Sequence, residues 1–183
     1  MRLPTRELVG IFLAAEPRMP RAKPTVLSLQ TVKAEDTPFL QALYAETRSP
    51  DLEATGWPPE AREAFYRGQF DAQARSYRRQ YPDASFDLVL AEGKPVGRLY
   101  VARGADAVRV VEITLLPSCR QRGWGTLLLR RVIEEAHRLG LPVRLQVDAG
   151  SRARRLYQRL GFRETGREGF RLDMERPAGP LPA

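Results

Sequence analysis

The chain has little of what usually announces a metal centre, a secreted scaffold or a charge relay. It has one cysteine, Cys119, and one histidine, His137. A single thiol cannot close an intrachain disulfide, which excludes the disulfide-stapled secreted class and agrees with a reducing compartment, so a cytoplasmic location is expected. One His and one Cys make no metal-ligand set, and no metal is expected. Lysine is nearly missing too: Lys23, Lys33 and Lys94 are the only three, so the formal net charge of +8 rests on arginine. No apolar run approaches the ~20 residues of a membrane helix. The apolar stretch at 8–15 follows Arg2 and Arg6 as in a secretory leader, but it is short and runs into Glu16-Pro17-Arg18, so a loose arm is the expectation.

What is present suits one domain. A chain of 183 residues with 43% apolar content can bury a core without staples. A basic balance admits a nucleic acid, an acidic surface or a phosphorylated ligand as partner. Many arginines alternate with acids, as Arg130-Arg131 do with Glu134-Glu135 at i,i+4 spacing. No aromatic-basic RNA motif occurs, so neither nucleic acid nor membrane is an expected partner.

Residues 1–25 carry Pro4, Pro17, Pro20 and Pro24 and read as a loose N-terminal arm; 26–176 read as the domain and 177–183 as a flexible tail. Residues 26–33 alternate as a first strand. Asp36 offers an N-cap to a helix through Leu40, Leu43 and Tyr44. Residues 48–59, with Pro50, Gly56, Pro58 and Pro59, read as a loop. A second helix, 60–81, places Phe65, Phe70, Ala74 and Tyr77 on one face before Pro82. Strands at 86–91, 96–102 and 108–116 follow, with links short enough for antiparallel hairpins. A helix at 124–139 carries a buried stripe of Leu128, Leu129, Val132, Ile133, Ala136 and Leu139. Gly140 stops it, and 143–147 reads as a strand. Ser151 caps a short helix ending at Gly161, and 170–174 reads as a last strand. Antiparallel strands thus lead into a parallel β-α-β crossover: a mixed, mostly antiparallel sheet of six to seven strands flanked by helices, an α/β (α+β) fold.

The segment from Leu115 to Leu128 carries the chemistry. A strand ends, a turn holds Gly123 and Gly125, and a helix opens. Glycine lets backbone approach a ligand closely, and the unpaired N–H groups and dipole of a helix start favour an anion. Arg120 and Arg122 add forked cationic donors. A P-loop requires Lys after its last glycine, and none follows Gly125. The dinucleotide fingerprint requires a third glycine where Leu128 stands.

Arg120-x-x-Gly123-x-Gly125 resembles the acetyl-CoA signature of the GNAT N-acetyltransferase family, Arg/Gln-x-x-Gly-x-Gly/Ala. The segment Ala153-Arg154-Arg155-Leu156-Tyr157-Gln158-Arg159-Leu160-Gly161-Phe162 resembles the family's other hallmark, Ala-x-x-Leu-Tyr-x-x-x-Gly-Phe, one helix and one strand downstream. The resemblance covers roughly 26–175 and is closest from Gly93 onward. It implies the GNAT acyl-CoA N-acyltransferase fold, acetyl-CoA as cosubstrate, and transfer of acetyl to a primary amine by direct attack. It also implies a splay between the strands at 108–116 and 143–147 that admits the pantetheine arm. Backbone near Ile113 and Leu115 would pair with pantetheine amides, and the N–H groups of Gln121, Arg122, Gly123, Trp124, Gly125 and Thr126 would hold the pyrophosphate, beside Arg120.

Tyr157 matches the family's general acid near the thioester sulfur. Glu112 is the candidate base, against a structural or substrate-orienting role or a water chain, because alternation sets it opposite Ile113 and Leu115 unless a bulge intervenes. The position where some members keep a glutamate is Arg109 here, and Gly150 replaces a frequent Asn. Cys119 reads as a turn residue. Arg152, Arg154, Arg155 and Arg159 either reach the CoA 3′-phosphate or coat a helix. Asp51, Glu53 and Trp57 either meet a cationic amine or form a packed turn. A small amine or amino-acid-like acceptor is favoured, with a protein N-terminus or lysine, or a catalytically degenerate acetyl-CoA-binding module, as alternatives. A homodimer is left open.

Overall fold

The computed structural model describes residues 26–53 and 56–180, with backbone alone at 49–53. The arm read at 1–25 and the end of the tail, 181–183, lie outside the described residues.

Seven strands form one sheet: β1 (Leu27–Thr31), β2 (Ser85–Ala91), β3 (Lys94–Arg103), β4 (Val108–Leu115), β5 (Val143–Asp148), β6 (Arg163–Glu168) and β7 (Arg171–Arg176). Their order across the sheet is β1-β2-β3-β4-β5-β7-β6. All neighbours are antiparallel except β4 and β5, which are parallel. Four helices complete the fold: α1 (Thr37–Glu53), α2 (Pro59–Gln80), α3 (Trp124–Arg138) and α4 (Ala153–Arg159). The mixed, mostly antiparallel sheet flanked by helices is the architecture expected from the sequence.

Each face of the sheet buries its own cluster. α3 and α4 cover one face. There Leu128, Leu129, Val132, Ile133 and Ala136 pack on Leu99, Val101, Val108, Val110, Val143 and Leu145. Leu128 and Leu129 are fully buried, so truncation of either to alanine is expected to cost about 2–5 kcal/mol. α1 and α2 cover the other face through Leu40, Tyr44, Tyr66, Phe70 and Leu88, with edge-on contacts of Tyr44 to Tyr66 and Phe70.

Several local expectations give way. Residues 48–53 continue α1 through Pro50 rather than opening a loop. Asp36 closes a 3-10 turn, Ala34–Asp36, and accepts the Lys33 N–H at 2.8 Å rather than capping α1. On α2 it is Tyr66, not Phe65, that is buried; Phe65 faces outward and meets Trp57 edge-on. Leu139 ends the α3 stripe exposed, since it lies past the last helical turn. The last strand has a partner, β6, whose Arg-Glu-Thr-Gly-Arg-Glu sequence is exposed along most of its length. Such a charged edge strand carries no apolar alternation to detect.

Candidate active site

A bulge sets the side-chain directions of β4. Tyr100 pairs with Glu112, but Val101 pairs with Val110, so Val111 is the extra residue. Before the bulge, Val108 and Val110 face α3; beyond it, Ile113 and Leu115 pack on that same α3-side cluster. Glu112 and Thr114 therefore turn toward α2. Glu112 does lie opposite Ile113 and Leu115, as alternation requires. The bulge places it there; without it, the even positions would have stayed on the α3 face.

β4 and β5 pair only over Val108–Val110 with Val143–Leu145. Beyond these residues both strands continue without pairing to each other, to Leu115 and to Asp148. The sheet is thus splayed on the C-terminal side of this pair. A cleft of about 630 Å³ opens there, lined by Glu112 and Ile113 of β4, Val147 and Asp148 of β5, Tyr157 of α4 and Tyr77 of α2.

Glu112 sits at the centre of a polar cluster. Its Oε2 accepts from the Tyr77 hydroxyl at 2.9 Å, and its Oε1 accepts a short bond from the Thr114 hydroxyl. The Arg98 guanidinium stands 3.6 Å away and is almost wholly buried. Arg98 also donates to Gln73 at 2.9 Å and lies over the rings of Phe70 and Tyr100. Burial and the Glu112 charge together push the Tyr77 hydroxyl well above its ordinary pKa. Sequence reasoning misses Tyr77, Thr114, Gln73 and Arg98 as site residues. The one signal available is an arginine inside the apolar run Val96-Gly97-Arg98-Leu99-Tyr100-Val101, since a charge in a buried strand requires a partner.

Tyr157 is buried on α4, and Phe162 meets its ring edge-on at 5.7 Å. Gly161 takes a left-handed conformation (φ 88°) that ends the helix, and the Phe162 N–H turns back to the Tyr157 carbonyl at 3.0 Å. The Gly-Phe pair thus fixes the tyrosine's ring and backbone together. Burial, reinforced by the Glu112 charge, raises the Tyr157 pKa to about 12. The phenol therefore keeps its proton throughout the neutral range.

The glycine turn follows a 3-10 turn, Pro117–Cys119. Gln121 and Gly123 adopt positive φ, and Gly123 is the N-cap of α3. No acceptor among the described residues takes the backbone N–H groups of Gln121, Arg122, Gly123, Trp124, Gly125 or Thr126; the first intrahelical bond there is Leu127 N–H to Gly123 O. Arg120 Nε donates to the Leu115 carbonyl and Arg122 to that of Ser118, which ties both side chains down beside the turn. A Cβ on Gly123 would meet nothing within 4 Å, and one on Gly125 would meet only Leu156 Cδ2 at 3.6 Å. The protein does not fill the space beside these glycines. Gly125 sits in the first turn of α3, and a Cβ there would make only an ordinary contact, so packing does not account for it. Donors, dipole and open space fit a diphosphate.

His137 is exposed on α3. Among the described residues no group of His, Cys, Asp and Glu is arranged to hold a metal ion. Arg154 of the α4 run pairs with Glu164 at 3.4 Å. Trp57 packs on Phe65 and is not among the residues lining the cleft, while the side chains of Asp51 and Glu53 lie outside the described residues. Ser151 Oγ accepts the Ala153 N–H at 3.2 Å, and Gly150 has no neighbour within 4 Å of a built Cβ.

The fold is shared with several solved structures. The PaiA N-acetyltransferase of Thermoplasma acidophilum, in complex with coenzyme A, aligns with a TM-score of 0.64 at 18% identity, over 83% of this chain and 99% of that one. An acetyltransferase from Thermus thermophilus aligns with a TM-score of 0.59 at 24% identity, over 82% and 96%. The ribosomal-protein-S18-alanine N-acetyltransferase of Escherichia coli aligns with a TM-score of 0.56 at 21% identity, over 83% and 94%. No curated protein matches significantly in sequence. The fold is that of N-acetyltransferases. The model of the acetyltransferase (GNAT) family matches residues 41–162, and the chain belongs to that family.

Proposed function

We propose that the protein transfers the acetyl group of acetyl-CoA to the primary amine of a small, amino-acid-like acceptor by direct attack. The observation that carries this is the splay of β4 from β5, with the buried Tyr157 phenol, the Glu112 carboxylate and the unpaired β4 backbone around one cleft. Backbone groups at Ile113 and the Leu115 N–H face the splay without a β5 partner, while the Leu115 carbonyl accepts from Arg120 Nε; the open groups suit an extended amide-bearing arm, in the manner of an added strand. The N–H groups from Gln121 to Thr126 and the Arg120 and Arg122 side chains suit the diphosphate. Acetyl-CoA supplies an activated thioester.

The acceptor amine must reach the carbonyl uncharged, although an alkyl amine of pKa near ~10 is mostly protonated at neutral pH. Glu112 is the acceptor of that proton. Each of its oxygens accepts one hydroxyl hydrogen bond and keeps a second lone pair for the proton. As the C–N bond forms and the C–S bond breaks, Tyr157 gives its proton to the leaving sulfur, and the surplus N–H proton of the attacking nitrogen passes back to the Tyr157 oxygen, leaving the neutral amide and the free thiol. A protein α-amine is the second reading. It is favoured by the likeness to the S18-alanine enzyme and by the breadth of the cleft.

The test is a screen of amines with thiol release as readout, on wild type, Tyr157→Phe and Glu112→Gln. Turnover of small amines in wild type, slowed in both variants with acetyl-CoA binding retained, is the expected result. An unchanged turnover number in Tyr157→Phe removes Tyr157 from the chemistry. Release driven only by peptides moves the acceptor to the protein class.

A further inference from the structure

We infer that the acceptor carries an oxyanion, a carboxylate or a phosphate, held by Arg109 and Arg171 on the α2 side of the cleft. This rests on the acetyl-transfer reading and adds the charge of the substrate to it. Three arginines line the cleft: Arg48 from α1, Arg109 from β4 and Arg171 from β7. Arg48 lies over the Tyr44 ring at 5.5 Å. None of the three has a carboxylate within ion-pair distance among the described residues, whereas Arg98, Arg103 and Arg144 each do. Of the acids lining the cleft, Glu112 is already matched by Arg98, which leaves Asp148 against three guanidinium groups.

Arg109 and Arg171 share this lining with the reacting groups: Tyr77, Glu112 and Tyr157 line the same cleft, and Tyr77 donates directly to Glu112. The diphosphate turn is not part of this lining and has Arg120 and Arg122 of its own, so the cleft arginines answer to a different anion. A guanidinium fork suits a carboxylate or phosphate, and Gln69 and Ser76 add neutral donors to the same lining. The same field acts on the amine. Cationic neighbours favour its uncharged form, which is the form that attacks, and they repel a polyamine.

The experiment uses the full chain, acetyl-CoA and matched acceptors: amino acids against their carboxamides, phosphoethanolamine against ethanolamine, and spermidine as a polycation. The anionic member of at least one pair is expected to exceed its neutral partner by about tenfold or more in kcat/KM, and the pair that does so tells carboxylate from phosphate. Arg109→Gln and Arg171→Gln should each collapse that ratio, chiefly through KM, with Arg171→Lys keeping part of it. A ratio of one or less in both pairs, a ratio indifferent to both variants, or a preference for spermidine overturns the inference while leaving acetyl transfer standing. Acetyl-CoA binding without thiol release to any amine overturns the acetyl-transfer reading, and this inference with it.

Discussion

The two faces of the sheet offer different means of holding a ligand. On the α3–α4 side, the proposed contacts to acetyl-CoA are mostly main-chain: N–H groups of a glycine turn and the open edge of β4. On the α1–α2 side, the cleft is furnished by side chains, with Glu112, Tyr77 and Arg98 drawn from β4, α2 and β3. Main-chain recognition constrains sequence sharply, because only certain residues permit the backbone geometry. Side-chain recognition leaves no fixed spacing, because each group comes from a different element.

The largest effect is expected at the residue where the two sides meet. Tyr157→Phe should lower kcat by about 10²-fold or more, with acetyl-CoA affinity nearly unchanged, in steady-state assays paired with calorimetry. Loss of affinity instead would make Tyr157 a packing residue of the cofactor side.

Glu112→Gln should cut kcat by about tenfold or more. It also leaves the buried Arg98 without its counter-charge, so stability should fall by about 3 kcal/mol, read from denaturant titration. The double variant Glu112→Gln/Arg98→Met separates the effects. Stability should return in part while kcat stays low; recovery of kcat would reduce Glu112 to a structural partner of Arg98.

Gly97→Ala sharpens the contrast from the β3–β4 seam. A Cβ there would come within 2.3 Å of the Thr114 carbonyl oxygen. Forcing that approach should cost about 1–3 kcal/mol and displace the strand that carries Glu112, so both melting temperature and turnover should drop.

The smallest effect is a pH dependence. Tyr77 and Tyr157 have pKa values raised by burial in the folded state, so their protonated forms contribute stability that is fully present below the unfolded pKa of ~10. That contribution is lost as pH rises through the folded values, so thermal stability should decline from pH ~10 to ~12. Turnover should show no falling alkaline limb from Tyr157 below that range. Tyr157→Phe should flatten part of the stability loss.

This contrast also explains what could be read from sequence alone. The turn at Gly123 and the Ala153–Phe162 segment were legible because positive φ at Gly123 and Gly161 and the Tyr157–Phe162 contact admit few residues. Apart from β6, strand and helix positions from β2 onward followed from periodicity, as did the buried stripe of α3 up to Ala136. The helix through Pro50 was not legible. Proline removes a donor and marks a break, yet α1 continues, its earlier part fastened to α2 by Leu40 and Tyr44 against Tyr66 and Phe70. Nor was β6, whose charged edge gives no alternation. The bulge at Val111 decides which way Glu112 points, and no glycine or proline announces it. The Tyr77–Glu112–Arg98 cluster draws on three elements, with Tyr77 and Glu112 35 positions apart, and pattern reading within single elements cannot assemble it.

Calorimetric titration of acetyl-CoA into wild type and into Gly123→Val is the direct measurement. Gly123 is left-handed at φ 79°, so a β-branched residue there must distort the turn. Saturable binding by wild type, weakened about 10–100-fold in the folded variant as charge-assisted N–H bonds are lost, is the predicted result. Equal affinity in the two proteins, or no binding by wild type, would contradict it.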